Sequence, residues 1–111
     1  MQPDARKYLL DALNACKAIA SFTEEVSLPD YSENLLLRSA VERQFEIMGE
    51  AFNRLDDIEP EYRHIYPEVG KIIGMRNRII HGYDSVDDAI IWDAARNHIP
   101  KLDAWLSSLS L

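Results

Sequence analysis

Arg76, Asn77, His81 and Tyr83 fall within the eight-residue stretch Arg76-Asn77-Arg78-Ile79-Ile80-His81-Gly82-Tyr83. Arg76 and His81 match a reaction. Cleaving RNA without a metal requires a base for the ribose 2′-hydroxyl and an acid for the departing 5′-oxygen. It also requires a cation for the charge that builds on phosphorus. Histidine exchanges protons near neutral pH. A guanidinium fork suits phosphate oxygens and gains strength in a water-poor cleft. Arg76 is also an unusual residue for its position. Val69, Ile72, Ile73, Met75, Ile79 and Ile80 recur as the buried face of a helix, and Arg76 projects into the middle of that arc. A cation is rarely set there without a partner or a substrate. On a helix regular through residue 81, the Arg76 and His81 side chains leave the axis ~140° apart. They converge only if the helix unwinds at Gly82 or if a second subunit completes the cleft. The spacing alone is also open to a plainer pairing: an arginine bridging two helices, and a histidine favoured at a helix C-terminus by the dipole.

Other candidate chemistry is weaker. Glu42 and Glu46 are one helical turn apart and could flank a cation, or simply hydrogen-bond and pair with neighbouring charges. His64, His81 and His98 have no paired spacing with carboxylates or cysteine, so no metal site and no cofactor are expected. No glycine-rich phosphate loop follows a strand, and spacing singles out no Ser/His/Asp set. Cys16 lies inside an apolar stripe and reads as a small buried hydrophobe. As the single cysteine it forms no internal disulfide, which fits a reducing, cytoplasmic location.

The elements that must position these residues are all helical. The chain has 111 residues, enough for one domain over residues 1–111 with one core. Apolar residues make up 47%, which favours a folded domain over a disordered one. No apolar run approaches the ~20 residues of a membrane span, and the N-terminus does not resemble a signal peptide. The net charge of −7 argues against binding nucleic acid through a broad basic surface but leaves room for a small cationic site.

A first helix is expected from Asp4 as its cap, with Leu9, Ala12, Leu13, Cys16, Ile19, Ala20 and Val26 inward. Asp30 and Glu33 resemble a capping box opening a second helix to about Leu55. Its apolar arc holds Leu36, Leu37, Ala40, Val41, Phe45, Ile47, Met48, Phe52 and Leu55. A narrower strip holds Ser39, Glu42, Glu46, Gly49 and Asn53. Gly49 costs ~1 kcal/mol in a helix interior, which is tolerable where another helix packs close. Glu61–Ile65 suits one helical turn. Pro67 opens a third helix to about His81, where Gly82 stops it. Gly70 and Gly74 give that helix a smooth edge suited to close contact. Asp84 or Ser85 caps a fourth helix carrying Ile90, Ile91, Ala94, Ala95 and Ile99. Pro100 either kinks it or opens another. The result is an all-α antiparallel four-helix bundle. Its apolar supply exceeds what a small monomer needs, and its second and third helices show second contact faces, so a homodimer is expected.

The stretch Arg76–Tyr83 resembles the R-N-x-x-x-H-x-Y motif of HEPN-domain proteins, in particular the HepT-like toxins. Val41-Glu42-Arg43-Gln44-Phe45-Glu46-Ile47-Met48-Gly49-Glu50-Ala51 is similar to that family's second-helix signature. Ile72-Ile73-Gly74-Met75, Ile90-Ile91-Trp92 and the region of Pro100 and Leu102 also fit. The resemblance implies a HEPN-type homodimer with its cleft at the dimer interface. It implies a metal-independent endoribonuclease toxin of a toxin–antitoxin pair, acting on tRNA or mRNA. Arg76 and His81 would be catalytic, Asn77 would orient or bind, and Glu42 and Glu46 would lie near the cleft. The implied partner is a minimal nucleotidyltransferase antitoxin of the MntA type, which would adenylylate Tyr83. A competing expectation is a non-catalytic helical module that uses the same cleft to bind a nucleotide or dock a nucleotidyltransferase.

Overall fold

Pro3 opens the first helix, α1 (Pro3–Thr23), from a Gln2 cap position that makes no side-chain hydrogen bond. Asp4 is therefore not the cap. It sits in the first turn, where its charge suits the helix dipole. The structure, a computed structural model, describes residues 1–82 and 86–111. Ala5, Leu9, Ala12, Ala15, Cys16 and Ile19 form the buried stripe of α1, and Ala15 takes the place expected of Ala20, which is exposed. The stripe buries the Cys16 thiol against Met48, with the two sulfurs 4.0 Å apart. Burial, then the charge of Asp103, pushes its pKa up to about 12, so it stays a protonated thiol near neutral pH.

Asp30 and Glu33 do not open the long second helix. They belong to a short helix, α2 (Leu28–Glu33), whose cap is Ser27: its Oγ accepts the Asp30 N–H at 3.2 Å. Asn34 then leaves the helical region at φ −108° and ψ 96°. Its Oδ1 accepts the Leu37 N–H at 3.0 Å and so starts α3 (Leu35–Ile58). Val41, Phe45, Met48, Phe52 and Leu55 are the inward stripe of α3. Leu36 lies ~140° from the middle of that stripe. It is accordingly 81% exposed rather than part of the core.

Glu61–Ile65 does form one short helix, α4, followed by α5 (Glu68–His81), whose cap position is Pro67. Val69, Ile72, Ile73 and Ile79 are buried on α5, whereas Ile80 is 40% exposed at the edge of the arc. A Cβ on Gly70 would meet only Arg63, at 3.8 Å, and one on Gly74 would meet nothing within 4 Å. The smooth edge expected at these two glycines is therefore not a close helix contact.

The fourth helix begins later than expected, as α6 (Asp88–Asp93). Asp87 is its cap, its Oδ1 accepting the Ala89 N–H at 2.8 Å. Asp84 and Ser85, the expected caps, lie outside the described residues. Pro100 has no N–H to give the Arg96 carbonyl, and its ring crowds that carbonyl. The chain passes this point through a wider π turn, Ala94–His98, and continues as α7 (Ile99–Ser108). Pro100 thus sits in the first turn of α7.

Contacts between α1 and the C-terminal segment, from the π turn through α7 to the last residue, run antiparallel: Arg96 bonds to Thr23, Lys17 to Asp103, and Arg6 to Leu111. The Arg96 guanidinium donates to the Thr23 and Val26 carbonyls at 3.0 and 2.6 Å while stacking on Trp92. It thereby adds to the bonding at the carbonyl end of α1, where Thr23 also accepts the Val26 N–H at 3.2 Å. Tyr66 stacks on Trp105 and donates to the Lys101 carbonyl at 2.9 Å, tying the start of α5 to α7. The core runs through the middle of the bundle, with α3 packed on both α1 and α5. Every element among the described residues is helical, as the sequence pattern predicts.

Candidate active site

The site is built where α5 crosses α3. Gly49 makes the approach possible. A Cβ added to it would stand 2.2 Å from Arg76 Cβ, 2.7 Å from Arg76 Cγ and 3.3 Å from the Ile72 carbonyl oxygen. The missing side chain is thus the seat of the Arg76 stem, and the close packing expected at Gly49 is present. The stem enters at the middle of the apolar arc, and the guanidinium emerges at the protein surface with the side chain 23% exposed. Its Nη1 donates to Asn77 Oδ1 at 3.1 Å and its Nη2 to Glu50 Oε2 at 2.8 Å. The Nε–H is buried and meets no acceptor among the described residues.

His81 is the last residue of α5 and is exposed. The Gly82 N–H closes the helix on the Arg78 carbonyl at 2.8 Å, so Gly82 is the stop, though with φ −131° rather than a left-handed conformation. Because α5 stays helical through residue 81, the Arg76 and His81 side chains leave it ~140° apart. Arg76 turns to α3 and His81 to solvent. Unwinding at Gly82, one of the two routes to convergence, is not what α5 does.

The two sequence-predicted glutamates sit beside this arrangement without joining it. Glu46 pairs with Arg43 at 3.2 Å. Glu42 lies nearer the start of α3, where burial, then the charge of Asp88, pushes its carboxyl above the usual range. Neither holds Arg76; that place is taken by Glu50, one turn beyond Glu46. Glu50 Oε1 also accepts from Arg54 Nε at 3.1 Å. The sequence signal was present: the i, i+4 ridge that holds Glu42 and Glu46 continues to Glu50 and Arg54. A groove of about 390 Å³ between α1 and α3 opens beside this ridge, with Arg43, Glu46, Glu50 and Arg54 in its wall. Tyr83 lies outside the described residues. Among the described residues no three His, Cys, Asp or Glu side chains group as metal ligands, and no helix is long and apolar enough to cross a membrane.

A half-buried guanidinium held in a fixed pose is suited to phosphate oxygens, and an exposed imidazole one and a half turns on is suited to proton transfer. Comparison with known proteins gives the family. The model of the family described as Ribonuclease HepT-like matches residues 12–109, and the chain belongs to that family. Among its relatives is "Probable ribonuclease HepT" of Thermococcus cleftensis, 30% identical over 104 residues, which are 92% of this chain and 92% of the relative. A "Putative RNase" of Caldanaerobacter subterraneus subsp. tengcongensis is 33% identical over 100 residues, covering 88% and 87% of the two chains. Another of that description, from Methanocaldococcus jannaschii, is 29% identical over 101 residues, covering 89% and 90%. No solved structure matches the chain.

Proposed function

We propose that this chain is a metal-independent endoribonuclease of the toxin type, working as a homodimer on tRNA or mRNA in the cytoplasm. The observation that carries the reading is Arg76: a cation placed at the centre of an apolar arc, seated on Gly49 and held by Asn77 and Glu50. Its guanidinium offsets the charge that develops on phosphorus, and Asn77 helps to orient it. His81 takes the proton from the ribose 2′-hydroxyl. The 2′-oxygen attacks phosphorus, the bond to the 5′-oxygen breaks, and the imidazolium of His81 returns the proton to that oxygen as it leaves. The products are a 2′,3′-cyclic phosphate and a 5′-hydroxyl.

The divergence of Arg76 and His81 on α5 supports the dimer. With the helix regular to residue 81, this reading takes the imidazole that meets the guanidinium from a second copy. The exposed Ile80 and Ile90, at 40% and 43%, offer apolar surface near the end of α5 for such a contact.

Tyr83, two residues after His81, is the proposed point of control by a minimal nucleotidyltransferase antitoxin of the MntA type. Adenylylation there would add negative charge and bulk next to the imidazole, repelling RNA and blocking the cleft. Tyr83→Phe is expected to keep its ribonuclease activity and to escape neutralisation when co-expressed with the partner, read as growth arrest. Continued neutralisation would reject Tyr83 as the switch.

The direct test is digestion of total tRNA in EDTA by protein shown by mass spectrometry to be unmodified. Cleavage leaving 2′,3′-cyclic phosphates is expected. Intact RNA from unmodified protein would overturn the reading in favour of a binding module.

A further inference from the structure

Glu50 is the partner of Arg76 that the Arg-Asn-His-Tyr motif does not contain. We infer that Glu50, backed by Arg54, is a positioning residue for the Arg76 guanidinium, an assignment that rests on the ribonuclease reading above. Gly49 fixes the beginning of the Arg76 side chain by close contact at Cβ and Cγ. The outer torsions remain free unless something holds the far end. Two groups hold it: Asn77 at Nη1 and Glu50 at Nη2. A guanidinium has five N–H groups. With Nε–H buried, and one N–H on each terminal nitrogen given to the protein, one N–H on each terminal nitrogen is left for substrate oxygens.

Arg54 makes this arrangement compatible with binding an anion. A carboxylate that faced Arg76 alone would neutralise the cation that the substrate needs. Glu50 instead divides its two oxygens between two guanidinium groups, with Arg54 Nε at 3.1 Å on Oε1 and Arg76 Nη2 at 2.8 Å on Oε2. The three charges sum to a net positive unit. The carboxylate is also held from behind by a residue one turn along its own helix. Glu50 is 42% exposed, so its replacement tests the pose of Arg76 rather than the packing of the core.

The experiment has two readouts. Cleavage kinetics on an oligoribonucleotide would compare wild type with Glu50→Ala, Glu50→Gln, Arg54→Ala, Arg76→Ala and the double variant Glu50→Ala/Arg76→Ala. Side-chain nitrogen NMR of Arg76 would be recorded for wild type and Glu50→Ala without RNA. Glu50→Ala is expected to lower kcat by about 10- to 100-fold with little change in KM, because the cation is still present but misplaced. Glu50→Gln, which keeps an acceptor oxygen, is expected to recover most of the loss, and Arg54→Ala to lose less than Glu50→Ala. The double variant is expected to be no slower than Arg76→Ala alone, since the two act as one unit. The Arg76 Nη signals are expected to be resolved in wild type and averaged in Glu50→Ala. Full kcat in Glu50→Ala, or a multiplicative loss in the double variant, would overturn the assignment. If wild type and Arg76→Ala are equally inert on RNA, the ribonuclease reading falls by itself. The NMR comparison then decides the role of Glu50, with unchanged Nη signals overturning it.

Discussion

His81→Ala is expected to lose about 10²- to 10⁴-fold in the rate of RNA cleavage, the range that one positioned proton-transfer group contributes. Its stability is expected to stay close to that of wild type, because His81 is an exposed residue at the last position of α5 and supports no core contact. Arg76→Ala is expected to lose a comparable factor in rate through the transition-state charge it no longer offsets. Its cost to the fold differs. Removing the guanidinium leaves Glu50 with only Arg54 and opens a space over Gly49. Kinetics on a defined oligoribonucleotide, run beside thermal unfolding of the same samples, separates the two contributions. A His81→Ala protein that cleaves at the wild-type rate would remove the imidazole from the reaction.

Gly49→Ala is expected to damage both fold and activity, although alanine is the better helix former by about 1 kcal/mol. The new methyl group would stand 2.2 Å from Arg76 Cβ and 3.3 Å from a backbone carbonyl. Cβ is fixed to the backbone and cannot swing aside as a side-chain tip can. Helices α3 and α5 must separate, and overpacking of this kind costs roughly 1–3 kcal/mol, enough to reverse the propensity gain. The melting temperature is expected to fall by several degrees. Activity is expected to fall further, since a shift of ~1 Å in the cation alone can cost about 10²-fold. Gly74→Ala is the matched control. Nothing lies within 4 Å of its new Cβ, so it is expected to be neutral or stabilising by up to about 1 kcal/mol. A Gly49→Ala protein as stable and active as wild type would contradict the close seat of Arg76.

The parts of the fold that depend on periodicity were legible in the sequence. The apolar arcs of α3 and α5 follow from spacing, and so does the placement of Arg76 within one of them. The glycine opposite it was legible as a costly residue that needed a close neighbour. Helix starts were less legible, because several residues compete for each cap. Asp30 with Glu33 has the form of a capping box, but Ser27 and Asn34 take the backbone N–H groups, splitting one expected helix into α2 and α3. Asp84, Ser85 and Asp87 are all reasonable caps, and Asp87 is the one seen to cap α6. Pro100 was legible as a break with two outcomes, a kink or a new helix, and spacing did not say that the chain would pass it through a π turn over Ala94–His98. Glu50 was missed for a different reason. Glu42, Glu46 and Glu50 are equivalent on a helical ridge, and only the height at which α5 crosses α3 selects Glu50 as the partner of Arg76.

With α5 unbroken through His81, the proposed cleft is composite, shared between two protomers. The most direct measurement mixes Arg76→Ala and His81→Ala proteins, each inactive alone, after unfolding and refolding them together, and follows cleavage of tRNA in EDTA. If one protomer's Arg76 works with its partner's His81, mixed dimers contain one complete site. Random pairing then returns about a quarter of wild-type activity. A mixture as inactive as its two components would contradict the composite cleft and would require both groups to act within one chain.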